Sequence, residues 1–519
     1  MNRSIRTASL VALSLVFGQP ALAKTSITVT LTQILGTTDP AKVKDYTEYL
    51  GAVNLYEGLT TVDAKGNSLP AIADKWTISA DNKTYVFHID PKAIFQDGKP
   101  VTSADVVWSI KRLLAINKGP AFLFSNLIKP ENVTAPDGAT VQIVLDRVFA
   151  PFLGTSAQLF VVNSALAKAN SNGEEWAETY LANASAGSGP YTLTSFVRGG
   201  PFSIARFPAY HKGFAANPID EVRFIPTTDE ATVKALATRG ELSMSSRYQA
   251  SETYDAISKL KDYKIVANPT ASVYYIKMNH LVPPTDDIHI RRAIAYALDY
   301  ATVREQLYPG FAVRGPMSGA FGDAYNTALP EPSQDLAKAA AEVKLSKYAG
   351  KGAIPLLHVY VASTKFEEEV GLLLKSALDP IGFDVTMRPE PWNRMTELAT
   401  KPETSPATAQ IFAGPTYPSP DSIFYVQYHS KSAGTWASMS WFKDKEVDDM
   451  IDSARSETDV GKQNAIYKAL QARLVADQTD VFLLAQTERH AVHRCLSGYE
   501  WMPIQSFGYN FSKFSWSCQ

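Results

Sequence analysis

The sequence lacks the short motifs that mark common hydrolases. Over 519 residues there is no G-x-S-x-G turn and no H-E-x-x-H helix, the patterns that build a nucleophile elbow and a zinc protease site. The S-x-x-K spacing of Ser258 to Lys261 has no S-D-N or K-T-G partner, so we interpret it as a solvated helix face. Nothing marks two of the 52 carboxylates as an acid and base pair. We therefore expect no enzymatic activity and no cofactor.

Histidine is also scarce, with eight residues scattered along the chain. The closest pair, His490 and His493, has no acidic or thiol-bearing residue between its members, and a metal site needs several such ligands. We predict that the chain has no metal site.

The charge of the chain favours neither sign. There are 50 Lys and Arg residues and 52 Asp and Glu residues, and the formal net charge is -2. Nucleic acids and anionic membranes attract proteins with a marked excess of positive charge. We therefore expect neither as a partner.

No apolar run in the sequence approaches the ~20 residues that a helix needs to cross a bilayer. The first candidate, Ala8 to Phe17, follows Arg3 and Arg6 and precedes the small residues Ala21-Leu22-Ala23. A basic start, a short apolar core and small residues at its end are the parts of a secretory signal. We predict a signal peptide over residues 1–23, cleaved near Ala23, and a periplasmic location. No cysteine lies near the cleavage point, so we do not expect a lipid anchor.

Cysteine is nearly absent, and the two residues present, Cys495 and Cys518, both lie near the C-terminus. An even pair in an oxidising compartment favours a disulfide over two free thiols. The lack of a C-x-x-C spacing disfavours a redox or metal role. We predict that the two cysteines are bonded, which by the chain-entropy estimate contributes roughly 3 kcal/mol of stability.

The most informative segment of the chain runs from Ala71 to Arg112. Trp76 to Ile78 and Tyr85 to Ile89 alternate apolar and polar residues, which predicts two half-buried strands joined by a turn. Thr102 or Ser103 then caps a helix. The predicted apolar face of this helix consists of Val106, Val107, Ile110 and Leu113.

Three further blocks accompany this segment. They are Asn54-Leu55-Tyr56-Glu57-Gly58-Leu59, then Gly187 to Leu193 with Ile204 to Tyr210, and finally Asp286 to Asp299. In this order the four blocks resemble the extracytoplasmic solute-binding proteins of family 5, which serve peptide, nickel and opine importers of the ATP-binding-cassette (ABC) type. The chain departs from the family pattern at His211, where a Trp is common, and at Thr479-Asp480, where a proline is usual.

The resemblance implies an α/β fold of the two-lobed periplasmic binding protein type, in its large three-domain form, with a hinge between the lobes. Residues 24–59, 188–272 and 488–519 are expected to form the first lobe, residues 60–187 a subdomain inserted in it, and residues 273–487 the second lobe. The two crossovers are expected near residues 271–279 and 485–489. The length agrees, because about 500 residues at ~150 per domain suggest about three domains.

The resemblance also implies a function without bond making. The two lobes are expected to close on a small polar solute, and the closed monomer then delivers it to the permease subunits of an ABC importer.

A loop from Phe412 to Ser422 resembles the cleft loop of the family. Peptide-binding members typically place an aspartate there to hold the α-ammonium group of the ligand, and the matching residue here is Thr416. Because an ammonium group is costly to bury without a carboxylate partner, we expect an opine-like or other non-standard-peptide ligand. Asp421 or Glu390 is the alternative source of that charge.

Further candidate ligand contacts are aromatic and polar side chains around this loop and on the crossover, and two arginines suited to a bidentate grip on a carboxylate. The alternatives are that the aromatic residues pack the core and that the arginines are solvated. The hypotheses left open are a receptor for a non-peptide solute, a di- or oligopeptide receptor, and a secreted hydrolase. Besides Thr416 and Asp421, the candidates are Tyr56, Tyr274, Tyr275, Asn279, Arg388, Trp392, Arg394, Tyr417, Ser419, Tyr428, His429 and Trp436.

Overall fold

A computed structural model of the chain describes residues 24–362, 364–502, 504 and 506–518. The predicted signal peptide, residues 1–23, lies outside the described residues. Within the described part of the chain, no helix has both the length and the apolar character needed to cross a membrane.

The strands alternate with helices along most of the chain. The strands are β1 (Ser26–Leu31), β2 (Thr60–Val62), β3 (Ser68–Pro70), β4 (Ala73–Ile78), β5 (Thr84–Ile89), β6 (Ile128–Thr134), β7 (Thr140–Leu145), β8 (Tyr191–Phe196), β9 (Phe202–Arg206), β10 (Glu221–Pro226), β11 (Tyr263–Met278), β12 (Gly310–Phe311), β13 (Ile354–Val361), β14 (Phe383–Glu390), β15 (Thr408–Ala413), β16 (Asp480–His493), β17 (Leu496–Ser497) and β18 (Ser515–Trp516).

The α-helices vary from single turns to more than four turns. They are α1 (Tyr46–Leu55), α2 (Ser103–Ile116), α3 (Phe152–Thr155), α4 (Ser164–Ala169), α5 (Glu178–Leu181), α6 (Glu230–Thr238), α7 (Ser251–Ser258), α8 (Ile288–Ala297), α9 (Tyr300–Thr302), α10 (Leu336–Leu345), α11 (Lys365–Leu378), α12 (Trp392–Leu398), α13 (Asp421–Tyr428), α14 (Lys445–Ser456) and α15 (Val460–Ala476).

The first sheet has the strand order β1-β10-β9-β8, with β1 parallel to β10 and the other neighbours antiparallel. Ile27, Val29 and Leu31 of β1 are buried in a core that also receives helix α1. Phe202 of β9 and Phe224 of β10 stack in that core with ring centroids 4.1 Å apart. This sheet places the N-terminus of α1 at the edge of the candidate site.

The segment from Ala71 to Arg112 forms the predicted hairpin and helix. Strands β4 and β5 pair in antiparallel fashion within the sheet β4-β5-β7-β6. Thr102 caps α2 through a reciprocal pair of hydrogen bonds with Asp105, because the hydroxyl and the carboxylate each accept one of the free amides at a helix start. Ser103 is instead the first residue of the helix. The predicted strands and the cap at Thr102 are confirmed.

The largest sheet has the order β12-β16-β11-β15-β13-β14. Strands β13, β14 and β15 are parallel, whereas the long strands β11 and β16 pair in antiparallel fashion. The register of β11 and β16 shifts between Pro269 and Val273, inside the region where both crossovers are predicted. The boundaries of the lobes and of the inserted subdomain stay a prediction.

The C-terminal segment returns to the first sheet and ends in the short pair β17 and β18. Cys495 and Cys518 are joined by a disulfide, as the sequence predicts. The bond fastens the last residues beside Phe511 and Phe514, which belong to the same core as β1.

Candidate ligand-binding cleft

A cavity of about 540 Å³ lies between the elements of the two predicted lobes, and we call it the interlobe cavity. One wall comes from the loop after β1, the start of α1 and Tyr248. The other comes from the ends of β13 and β15 and the starts of α11 and α12. Ligands of open α/β sheets bind outside the carboxyl ends of the strands, and the second wall is such an edge.

Aromatic rings form the apolar faces of this cavity. Trp392 and Trp436 meet edge to face with centroids 5.3 Å apart on the second wall. Tyr248 of the first wall lies 6.0 Å from Phe412 of the second. Tyr46 contacts Tyr248 edge to face at 6.3 Å. Rings on both walls offer stacking surfaces to a ligand that both lobes contact.

Two carboxyls of the first wall belong to the cap of α1. Asp45 accepts hydrogen bonds from the Thr47 and Glu48 amides, and Glu48 accepts one from the Lys44 amide at 2.9 Å. Burial raises the pKa of Asp45. Burial, with a further contribution from the charge of Asp45, raises the pKa of Glu48 to about 8. For both carboxyls, burial outweighs the amide hydrogen bonds and the charge of Lys44.

The second wall carries one buried carboxyl, Glu367, near the start of α11. It accepts a hydrogen bond from the Val361 amide at 2.8 Å and is 3% exposed. Burial raises its pKa to about 8, although the Val361 hydrogen bond opposes the shift. The interlobe cavity therefore has carboxyls on both walls.

Arg247 lies behind the first wall between two aromatic rings. Its guanidinium is 4.2 Å from the Tyr46 ring centroid and 4.9 Å from that of Tyr248. It also faces Glu488 at 3.6 Å. Burial opposes ionisation of Glu488, but Arg247 and His490 outweigh burial and lower the pKa of this carboxyl to about 2. The charge of Arg247 is thus compensated inside the protein.

Several buried polar atoms around the interlobe cavity have no hydrogen-bond partner within the described part of the chain. The Tyr46 hydroxyl and the Gln33 Oε1 are on the cavity lining, and the Arg247 Nε is behind it. Unpaired buried polar groups are costly and rare in folded proteins. Their clustering here marks a place where a polar ligand fits.

Among the candidates from the sequence, Trp392 and Trp436 are on the lining of the interlobe cavity. Tyr274, Tyr275 and Tyr428 instead pack in three hydrophobic clusters of the predicted second lobe. Their hydroxyls bond Gln410, the Pro316 carbonyl and Asp480. Asn279 holds the carbonyls of the loop at 402–405. Core packing, the alternative proposed for the aromatic residues, describes the three tyrosines.

The loop around Thr416 contacts the segment that is predicted to form the inserted subdomain. Gln158 donates a hydrogen bond to the Thr416 carbonyl at 2.6 Å, while the Thr416 hydroxyl is buried without a partner among the described residues. Asp421 accepts a hydrogen bond from the Tyr417 hydroxyl and pairs with Arg455 at 3.3 Å. Its carboxylate is therefore already paired inside the protein. Ser419 accepts a hydrogen bond from the Asp421 amide.

The remaining candidates lie away from the interlobe cavity. Arg388 and Arg394 are about half exposed and pair with neighbouring glutamates, Glu390 and Glu397, because solvent and adjacent carboxylates satisfy them. His429 lies between Asp448 and Asp452 of α14, at 3.7 and 3.6 Å. Tyr56 is on the lining of a second cavity, described in the Discussion. A ligand role for these residues stays a prediction.

Sequence reasoning missed the carboxyls and several rings of the interlobe cavity. Asp45 and Glu48 have the D-x-x-E spacing of a helix cap, which is readable, but a cap is normally exposed and carries no sign of a cleft. Glu367, Tyr248 and Phe412 come together only through the fold.

Two α/β halves with a cavity between them, rimmed by the carboxyl ends of parallel strands, define a two-lobed solute-binding protein. The chain belongs to the bacterial extracellular solute-binding proteins, family 5, whose model for the middle region matches residues 68–435. The predicted family and fold are confirmed. Members of this family are transport proteins rather than enzymes and act as the solute-binding component of ABC importers.

Relatives and solved structures agree with this assignment. The chain is 26% identical over 492 residues to the probable D,D-dipeptide-binding periplasmic protein DdpA of Escherichia coli K12, covering 92% of each chain. Its fold matches DppA of Helicobacter pylori in complex with the peptide STSA, with TM-score 0.85, 18% identity and coverage of 95% and 98%. It also matches AgaA of A. tumefaciens R10 in complex with agropinic acid, with TM-score 0.82, 21% identity and coverage of 95% and 99%.

Proposed function

We propose that this protein works in the periplasm, where it captures a small polar solute in the interlobe cavity and delivers it to the permease subunits of an ABC importer. The solute is opine-like or another compound that is not a standard peptide. The protein acts as a monomer and makes no contact with nucleic acid.

The observation that carries this proposal is the interlobe cavity itself. Its volume of about 540 Å³ falls within the ~300–1,000 Å³ of small-molecule sites. Both lobes contribute rings and polar groups to it, so a ligand that touches both walls stabilises the closed state through its differential affinity for that state. Closure of this kind is a signal that a permease can recognise.

The position of Thr416 supports a ligand other than a standard peptide. A hydroxyl at the place of the family aspartate offers no charge to an α-ammonium group, and the nearby carboxylate of Asp421 is paired with Arg455. A peptide that depends on that contact would lose the stabilisation of a buried ion pair, several kcal/mol in effect.

A di- or oligopeptide receptor is the second candidate. It is favoured by the name of the D,D-dipeptide-binding relative, which aligns with 92% of the chain. A dipeptide with unusual stereochemistry or linkage is compatible with both candidate functions. Its ammonium group need not lie beside position 416, where the ammonium group of a standard peptide lies in peptide-binding members.

The test uses the mature protein freed of bound solute by unfolding and refolding. Octopine, D-alanyl-D-alanine and glutathione are compared with the L-dipeptides Met-Leu and Ala-Phe by thermal shift and X-ray scattering. A one-site ligand at 100 times its Kd stabilises by about 2.7 kcal/mol. We expect a shift and compaction with at least one of the first three. Equal or larger shifts with both L-dipeptides would overturn the preference for a non-standard ligand.

A further inference from the structure

The interlobe cavity has an uneven distribution of charge. Asp45 and Glu48 are on its first wall and Glu367 is on its second. Among the described lining residues, Lys44 is the one with a positive charge, and it is exposed to solvent. The three carboxyls accept backbone amide hydrogen bonds, but burial still raises their pKa values. A buried carboxylate whose charge is not balanced is unfavourable, so the cavity is suited to a ligand that brings positive charge.

The aromatic and hydroxyl groups of the lining point to the same kind of ligand. Tyr46 is 5% exposed, is on the lining, and its buried hydroxyl oxygen has no partner among the described residues. That oxygen can accept a hydrogen bond from an N–H group. The faces of Tyr248, Phe412 and Trp392 add cation–π attraction, which is strongest where water is excluded.

Neighbouring cations do not neutralise these carboxyls. The charge of Lys44 lowers the pKa values of Asp45 and Glu48, but burial outweighs it. Arg247 is held by Glu488 and by the rings of Tyr46 and Tyr248. Lys365, at the start of α11, is exposed and pairs with Glu252 and Glu369 instead of Glu367.

We propose that the interlobe cavity recognises the ammonium or guanidinium group of its solute by enclosing it between Glu367 on one wall and the Asp45 and Glu48 pair on the other. The proposal rests on the proposed function and names the substrate class of that site. The carboxyls of Asp45, Glu48 and Glu367 take over the electrostatic role that the cleft-loop aspartate, matched here by Thr416, has in peptide-binding members. Because the carboxyls belong to opposite lobes, the same group also favours closure.

Recognition of a cation by these carboxyls changes their protonation when the solute binds. Recognition by shape alone would not. Burial raises the pKa values of Glu48 and Glu367 to about 8 in the empty cavity, so at pH 7 these groups hold protons for much of the time. A bound cation favours their ionised form. Binding therefore releases protons, and affinity rises between pH 6 and pH 8.

The experiment compares three pairs of probes by calorimetry in phosphate and in Tris buffer. The pairs are D-alanyl-D-alanine, glutathione and octopine, each with an analogue whose cationic groups are all neutralised. N-acetylation does this for the first two, and octopine needs both N-acetylation of its secondary amine and a urea in place of the guanidinium. The variants are Glu367→Gln and Glu48→Gln. The control is Glu369→Gln, on the same helix α11 but paired with Lys365.

We expect the cationic member of at least one pair to bind with proton release, and its neutral analogue to bind roughly 10–100-fold more weakly, the range for a hydrogen bond to a charged group. Glu367→Gln should weaken the cationic probe by a similar factor and abolish part of the proton release, whereas Glu369→Gln should not. A thermal scan of the empty variants shows that they fold.

Two results separate the failure of this proposal from failure of the function. X-ray scattering of the same mixtures measures compaction. Compaction by neutral analogues as strong as that by cationic probes, with no effect of Glu367→Gln, would overturn the cation site and leave the receptor intact. The absence of compaction with every probe and analogue would overturn both.

Discussion

Two cavities of similar size in this protein differ in how their polar groups are satisfied. The second cavity, of about 650 Å³, lies among residues of the predicted first lobe and its predicted subdomain. Its lining includes Tyr56, Glu57, Tyr210 and Lys212. Glu57 accepts a hydrogen bond from the Tyr210 hydroxyl at 3.0 Å and faces Lys212 at 3.7 Å. In the interlobe cavity the carboxyls of Asp45, Glu48 and Glu367 accept backbone amide hydrogen bonds, but burial outweighs these bonds and raises the pKa values of all three. Cavity volume therefore does not tell the two cavities apart. The interlobe cavity is distinguished by polar groups on two separate walls that are not fully satisfied.

The comparison has an energetic consequence. The carboxyl of Glu57 contributes to stability because it is enclosed by donors, including the Nε2 of His211 at 3.0 Å. The carboxyls of the interlobe cavity oppose folding of the empty protein, because they are buried with fewer partners. Natural proteins accept such local costs at functional sites.

The largest predicted effect is on the free energy of unfolding of the protein without solute, which Glu367 should make dependent on pH. With a pKa of 4.5 when unfolded and about 8 when folded, the group binds more protons in the folded state between these values. Stability is therefore highest at the acid side and falls as pH rises towards 8, by on the order of 3–5 kcal/mol for this group. Urea unfolding from pH 5 to pH 8.5 measures the slope.

Glu367→Gln should flatten that slope, while Glu369→Gln should leave it as in the parent protein. The quantity to compare is the difference between each variant and the parent at every pH, because other groups also titrate. Parallel curves for the parent and Glu367→Gln would mean that the interlobe carboxyl is compensated as well as Glu57 is.

The disulfide should affect the second cavity and not the first. The C-terminal segment that it fastens contributes Asn510, Ser512 and Lys513 to the second cavity, and none of these is on the interlobe lining. The double variant with Cys495→Ser and Cys518→Ser should lose roughly 3 kcal/mol of stability. Below its unfolding transition it should bind solute as the parent does. A loss of affinity without a loss of stability would contradict the separation of the two cavities.

Glu57→Gln should produce a smaller loss, of about 2 kcal/mol, because it removes the charge from hydrogen bonds that Tyr210 and His211 make to a carboxylate. Chemical denaturation at pH 7 measures it. Affinity for solute should stay within twofold of the parent value. If Glu57→Gln abolished binding and left stability unchanged, the second cavity would be the ligand site.

Local patterns account for what the sequence predicted well. The alternation in β4 and β5 and the cap at Thr102 depend on residues a few positions apart, and the structure confirms both. The family blocks then extend this local information to the fold. The disulfide followed from there being only two cysteines in the chain.

The site was harder to predict because its walls are distant in sequence. The sequence predicts Tyr274 and Tyr275 as ligand contacts. Successive side chains of a strand point to opposite faces, and β11 is covered on both faces, so the two tyrosines pack in two different cores. Asp45 and Glu367 share a cavity although more than 300 residues separate them along the chain. Only Trp392 and Trp436 combined a readable aromatic signal with a position on the lining.

The smallest predicted effects come from removing one tyrosine hydroxyl from each cavity. Tyr46→Phe removes an oxygen without a described partner, so the empty protein should keep its stability within about 0.5 kcal/mol or gain slightly. Tyr210→Phe removes a hydroxyl that donates to Glu57 and should cost about 1 kcal/mol. Binding should respond in the opposite order, with a severalfold loss of affinity for Tyr46→Phe and none for Tyr210→Phe. Both variants are measured by urea unfolding and calorimetry, and equal behaviour of the two would show that the cavities do not differ in kind.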